Sequence, residues 1–130
     1  MTNDNMVEIQ EYFEYACIRL GISMSLPEVS LLPERNQKAI IAFYMLSVII
    51  QSVNDGWEPN WNNEFELKYF PWFSGATAAT AIGCWSTSYA ASHAGTYVGS
   101  RLCFKTRALA DEWGQRLLPL YEDYLLINKE

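Results

Sequence analysis

A single histidine, His93, occurs in the chain, set in a loop of small residues (Ala90, Ala91, Ser92, Ala94 and Gly95). That scarcity leaves almost no material for a histidine-rich metal centre or a Ser-His-Asp triad, so His93 reads as an ordinary exposed histidine. Cysteine is scarce too. Cys17, Cys84 and Cys103 sit in apolar surroundings without CxxC spacing, which favours reduced, core-filling thiols over a disulfide and points to a reducing compartment. Nine Lys and Arg residues stand against fifteen Asp and Glu, for a net charge of -6. The basic residues are scattered from Arg19 to Lys129, so phosphate backbones are repelled and duplex nucleic acid is not the expected partner.

No apolar run is long enough for a bilayer. Ala39–Ile50, interrupted only by Ser47, spans twelve residues, against the roughly 20 that a membrane helix needs. The first eleven residues have neither a basic section nor an apolar one, so no secretory signal is expected. A phosphate loop is missing as well, because Gly95-Thr-Tyr-Val-Gly99 lacks the lysine of a P-loop. No membrane, metal or other cofactor is expected. Acidic neighbours such as Glu122 with Asp123, or Glu64 with Glu66, have nothing beside them to raise a carboxyl pKa and read as solvated faces.

What is abundant is aromatic side chains, 15% of the residues. Trp57, Trp61, Phe65, Tyr69, Phe70, Trp72 and Phe73 crowd the eighteen positions from Gly56 to Phe73, with Pro59, Pro71 and several Asn residues among them. That mixture suits an extended, turn-rich segment whose rings either plug a small core or line a groove. Rings beside Asn60, Asn62 and Asn63 are what a sugar-binding or base-stacking surface uses, faces from the rings and edges from the amides. A core of rings is the blander and favoured reading.

Local patterning supplies the rest. Ile9, Tyr12, Phe13, Ala16 and Leu20 recur at helical spacing before Gly21. Gly21 to Leu32, with Pro27, reads as an irregular connection that lays Ile22, Leu26, Val29 and Leu31 on the core. Pro33 and Glu34 open a second helix that Asp55 and Gly56 close, apolar nearly all round over its middle and therefore expected at the centre, between the aromatic segment and the last helix. Ile82–Tyr89 and Ser100–Lys105 read as strands, the second with Leu102 and Phe104 facing inward and Arg101, Cys103 and Lys105 facing the other way. Thr106 caps a final helix carrying Leu109, Ala110, Trp113, Leu117, Leu120, Tyr121 and Tyr124, which Pro119 should kink or split. The expected class is α+β: two N-terminal helices, a small antiparallel sheet with an aromatic-rich irregular segment, and a C-terminal helix kinked at a proline, in one domain over residues 1–130.

Two stretches, Asn54-Asp-Gly-Trp-Glu-Pro-Asn-Trp-Asn62 with Lys68-Tyr-Phe-Pro-Trp-Phe73, and Tyr97-Val-Gly-Ser-Arg-Leu-Cys-Phe-Lys105 with Ala108-Leu-Ala110, carry a resemblance. They resemble a family of small uncharacterised proteins encoded by phages and prophages of gut anaerobic bacteria. The similarity extends back through Leu31–Ile41 and forward to the final helix, while Ser74–Thr96 looks unlike a family core and reads as a variable loop. The resemblance implies a mobile-element origin and a place in the bacterial cytoplasm or the virion. It implies no catalytic residues.

Three functions from different classes follow as expectations. The first is a non-enzymatic phage or prophage accessory protein that binds a protein partner, a virion component being one. The alternative is a small-ligand module for a glycan or nucleotide, with Trp57, Trp61, Trp72 and Trp85 as its rings and Arg101 or Lys105 as its charged anchor. The third is an enzyme with Cys103 as nucleophile, its thiolate favoured by Arg101 and Lys105. Arg101 has a further structural reading, as a clamp stacked on a ring or paired with Glu64 or Glu66.

Overall fold

A computed structural model of the chain describes residues 3–63, 65–74, 83–90 and 100–127, with side chains over 6–63, 65–71 and 101–127. In chain order the elements are α1 (Asn3–Leu20), α2 (Glu34–Asn54), β1 (Lys68–Ser74), β2 (Gly83–Ala90), a 3-10 turn (Ser100–Leu102), α3 (Arg107–Arg116) and α4 (Leu118–Leu125). Helices dominate the described residues.

The ends of α1 and α2 follow from backbone freedom. Gly21, at a φ of 68°, takes the left-handed conformation that closes α1, and its N–H bonds the carbonyl of Ile18. Asp55 stops α2 in the same way at a φ of 50° and Gly56 continues the turn at 89°. Pro33 sits just outside α2, where its missing N–H costs nothing.

The core is helical. Ile9, Phe13, Ala16 and Cys17 of α1 meet Ala42, Met45, Leu46, Ile49 and Ile50 of α2, while Leu117, Leu120 and Tyr121 close the other side. Each fully buried side chain of this size contributes about 1.5 to 3 kcal/mol. The all-round apolar middle of α2 is thereby explained, since it packs between α1 and α4. β1 and β2 pack on α3, and the part of the aromatic segment that lies beside α2 is Trp57–Pro59.

β1 and β2 pair antiparallel from Lys68 opposite Ala90 to Ser74 opposite Gly83, with an irregularity after Trp72. Among the described side chains of β1, none is a buried member of the central cluster, although Tyr69 packs against its edge. The part of the α+β expectation that stands is the helical one.

Two other expectations are corrected, and a third is narrowed. The strand over Ser100–Lys105 is a 3-10 turn followed by a single bridge, in which Phe104 and Tyr69 exchange backbone bonds of 2.7 and 3.3 Å. Leu102, Cys103 and Phe104 are all buried, so the inward-outward alternation fails at Cys103. The connection after Gly21 does not lie on the core either, since Ile22, Leu26 and, at 97% exposure, Leu31 face solvent. Pro119 splits the last helix rather than bending it. Leu117 (φ -100°, ψ 14°) separates α3 from α4, and Pro119 lies in the first turn of α4, where no N–H donor is required. Thr106 caps α3 as expected, its Oγ1 accepting the Leu109 N–H at 3.2 Å.

Candidate functional site

The C-terminal half of α2 carries Ser47, Gln51 and Asn54 at i, i+4 and i+7, a polar stripe on a largely apolar stretch of the helix. This stripe forms one wall of a cleft of about 340 Å³. Trp57, Glu58 and Pro59, just past the end of α2, form the opposite wall, and Arg101 enters from the 3-10 turn. Of the residues singled out in the sequence, the structure therefore brings two together, Trp57 and Arg101, although 44 positions separate them.

Asn54 makes that meeting possible. Its side chain is buried, and its amide Nδ2 donates to the carbonyl of Cys103 at 2.9 Å while its Oδ1 accepts the N–H of Lys105 at 2.9 Å. Phe104, between them, directs its own N–H and carbonyl to Tyr69. The side-chain amide thus stands where a further strand would, offering one donor and one acceptor to the free edge of residues 103–105. Arg101 is held at the cleft as a consequence, and its guanidinium is exposed.

No carboxylate among the described residues pairs with Arg101. Glu66 is instead engaged by Lys68, at 3.3 Å, and by the N–H of Asn60, at 2.6 Å; Glu64 lies outside the described residues. The expected pairing of Arg101 with Glu66 is corrected: among the described residues, the cation that engages Glu66 and the aromatic segment is Lys68. It is fully buried, donates to the carbonyls of Asn63 and Glu66 at 3.2 and 3.0 Å, and lies 5.0 Å from the centre of the Trp61 ring. Buried charge is tolerated only with such full pairing.

Trp61 is thus a structural partner of Lys68 and does not line the cleft. Lys105 is exposed, and its N–H serves Asn54. Trp72 is set opposite Ser86 by the strand register, and Trp85 falls at the irregularity between Ser86 and Cys84; the side chains of both lie outside the described ones. Phe65, at 84%, is exposed, and Phe70 is buried. His93 and Gly95–Gly99 lie outside the described residues.

Cys103 does not have the character of a nucleophile. Burial pushes its thiol up to about 11, the positive charge of Lys68 opposes this and Glu66 adds to it. The predicted help from Arg101 and Lys105 is absent because those side chains turn outward. Cys17, also a buried free thiol, is raised by burial and by Glu14.

A second cavity, of about 210 Å³, opens between α1, α2 and α3. Tyr12, Tyr15, Arg19 and Trp113 ring it, over a floor that includes Ala16, Ile49 and Leu109. Tyr12 and Trp113 meet edge to face at 5.1 Å, and Arg116 lies 5.0 Å from the Trp113 ring. Among the described residues, no helix is long and apolar enough to cross a membrane.

Sequence reasoning missed Gln51, Glu58 and the role of Asn54. The signal available was the Ser47, Gln51, Asn54 stripe, since polar side chains one and two turns apart on a buried helix need a polar neighbour or water. Compared with protein families, curated proteins and solved structures, the chain matches none of them.

Proposed function

We propose that the chain is a non-enzymatic phage- or prophage-encoded accessory protein that binds a protein partner in the bacterial cytoplasm or the virion. The observation that carries this reading is the second cavity and its surroundings. Tyr12, Tyr15, Arg19 and Trp113 are the residue types that dominate binding energy in protein interfaces. Beside them, Tyr15 and Ile18 on α1 are exposed at 62% and 67%, and Ile22 follows, so the pocket lies in an exposed apolar neighbourhood. In this reading β1 and β2 are the small antiparallel sheet of an α+β domain. The phage or prophage origin rests on the sequence resemblance alone.

Size-exclusion chromatography with light scattering, followed by pull-down from infected and host lysates, tests the proposal. A captured protein that is lost with Tyr15→Ala and Ile18→Glu supports it, because both side chains are exposed and neither change should unfold the chain. Monomeric behaviour with no capture sensitive to those variants sinks it.

A second reading rests on the cleft that joins Trp57 to Arg101. It makes the chain a small-ligand module, and a thermal-shift screen of sugars and nucleotides tests it, since bound ligand raises the melting temperature by mass action.

A further inference from the structure

Among the described residues, the cleft has one cationic group and an acceptor-rich wall. Arg101 brings an exposed guanidinium with no carboxylate partner among the described residues. Glu58 and the side-chain amide of Gln51 line the same cleft, and the stripe Ser47, Gln51, Asn54 runs into the carbonyl end of α2, which carries partial negative charge. The Ser47 hydroxyl donates to the carbonyl of Tyr44, and the Asn54 amide donates to the carbonyl of Cys103 and accepts the N–H of Lys105. Arg101, Gln51 and Glu58 are therefore the polar side chains of the cleft that lie open to solvent, and the half-buried Trp57 supplies a ring.

From this arrangement we propose that the cleft binds a sugar acid, a pyranose ring bearing one carboxylate. The inference rests on the small-ligand reading above and narrows it to one ligand class. The fork of Arg101 donors matches a carboxylate in two parallel hydrogen bonds. Glu58 and Gln51 accept hydrogen bonds from ring hydroxyls, and the indole of Trp57 takes the C–H face of the ring. A nucleotide fits worse, because a phosphate carrying up to two charges would face one arginine, a glutamate and the negative end of a helix. An amino acid fits worse too. Its ammonium is a single donor centre, whereas the acceptors lie on separate side chains that several hydroxyls can reach together.

Calorimetric titration of the full chain with glucuronate, glucose, adenosine monophosphate and phenylalanine decides the matter. Glucuronate is expected to bind at least tenfold more tightly than the other three. Arg101→Gln should reduce its affinity to that of glucose, and Trp57→Leu should abolish binding, with unchanged circular dichroism showing that both variants fold. Equal binding of glucuronate and glucose, or tighter binding of the nucleotide or the amino acid, overturns the sugar-acid inference but leaves a ligand cleft. Binding of none of the four overturns the inference and the ligand reading together, whereas the protein-partner proposal is judged by the pull-down. A hexuronate trimer separates two sources of the same chemistry: tighter binding than the monomer supports the inference and assigns an acidic polysaccharide, weaker binding supports it and assigns the free sugar.

Discussion

The side chain of Asn54 accepts the backbone N–H of Lys105 across 51 positions of sequence, at 2.9 Å, and its other amide atom serves the carbonyl of Cys103. One buried residue at the end of α2 thereby completes the backbone bonding of the segment that places Arg101. Chain segments with a free polar edge rarely stay buried, because each unpaired group keeps its full desolvation cost.

Asn54→Leu is accordingly expected to cost about 2 to 3 kcal/mol, as it strands the Cys103 carbonyl and the Lys105 N–H together. Urea unfolding with the slope held against the native chain measures it. A change below about 0.5 kcal/mol, the scale of an ordinary surface substitution, would show that this amide is dispensable.

Ile49 is fully buried in the core and Ile41 only partly, at its margin. Ile49→Ala should cost about 2 to 5 kcal/mol, with Ile41→Ala clearly less, because the cavity term is largest where neighbours cannot close in. Thermal and chemical unfolding of both variants gives the order; a larger loss at Ile41 would place the core wrongly.

The Cys103 thiol has an ordinary value of 9.0 and is pushed up to about 11 in the folded chain. The unfolded chain therefore loses this proton first, so the stability that Cys103 contributes is complete below about pH 9 and is lost as pH rises towards about 11. The gap in unfolding free energy between the native chain and Cys103→Ala should narrow between pH 8 and pH 10.5. A gap that is flat or widens over that range contradicts a raised thiol. Iodoacetamide should also label Cys103 slowly at neutral pH in the folded state.

Lys68→Met removes the cation that gathers the Asn63 and Glu66 carbonyls and the Glu66 carboxylate. A loss of about 1 to 3 kcal/mol is expected, moderated because Glu66 is partly exposed and can turn to water. Since Trp61 loses its cation and some cover, tryptophan emission should shift to the red. Unchanged emission and stability would remove Lys68 from its structural role.

Arg101→Lys should leave stability within about 0.5 kcal/mol of the native chain, since Arg101 is exposed and, among the described residues, pairs with no carboxylate. Denaturant midpoints provide the check. A clear loss would restore the clamp that the sequence suggests.

Much of the helical frame was legible because its causes are local. Gly21, Asp55 and Gly56 end helices through their own φ angles, and Thr106 caps α3 with its own hydroxyl. Trp57 and Arg101 were legible as residue types, an aromatic ring and a cation. Alternation misled at Ser100–Lys105, because Cys103 is buried and Asn54 takes the backbone bonds that a strand partner would take. Apolarity misled at Ile22, Leu26 and Leu31, which are hydrophobic yet exposed, since hydrophobic character does not say whether a neighbour is within reach.

By itself, then, the sequence determined where α1, α2 and α3 begin or end and that α2 must be buried, because turn chemistry and apolar periodicity act over a few residues. Only the tertiary structure decided that Lys68 is the buried cation that engages Glu66 and Trp61, and that Arg101 meets Trp57 in a cleft lined by α2. The second joins residues 44 positions apart, and the first, though its partners lie within seven positions of Lys68, depends on the tertiary packing that buries the cation and so makes full pairing necessary.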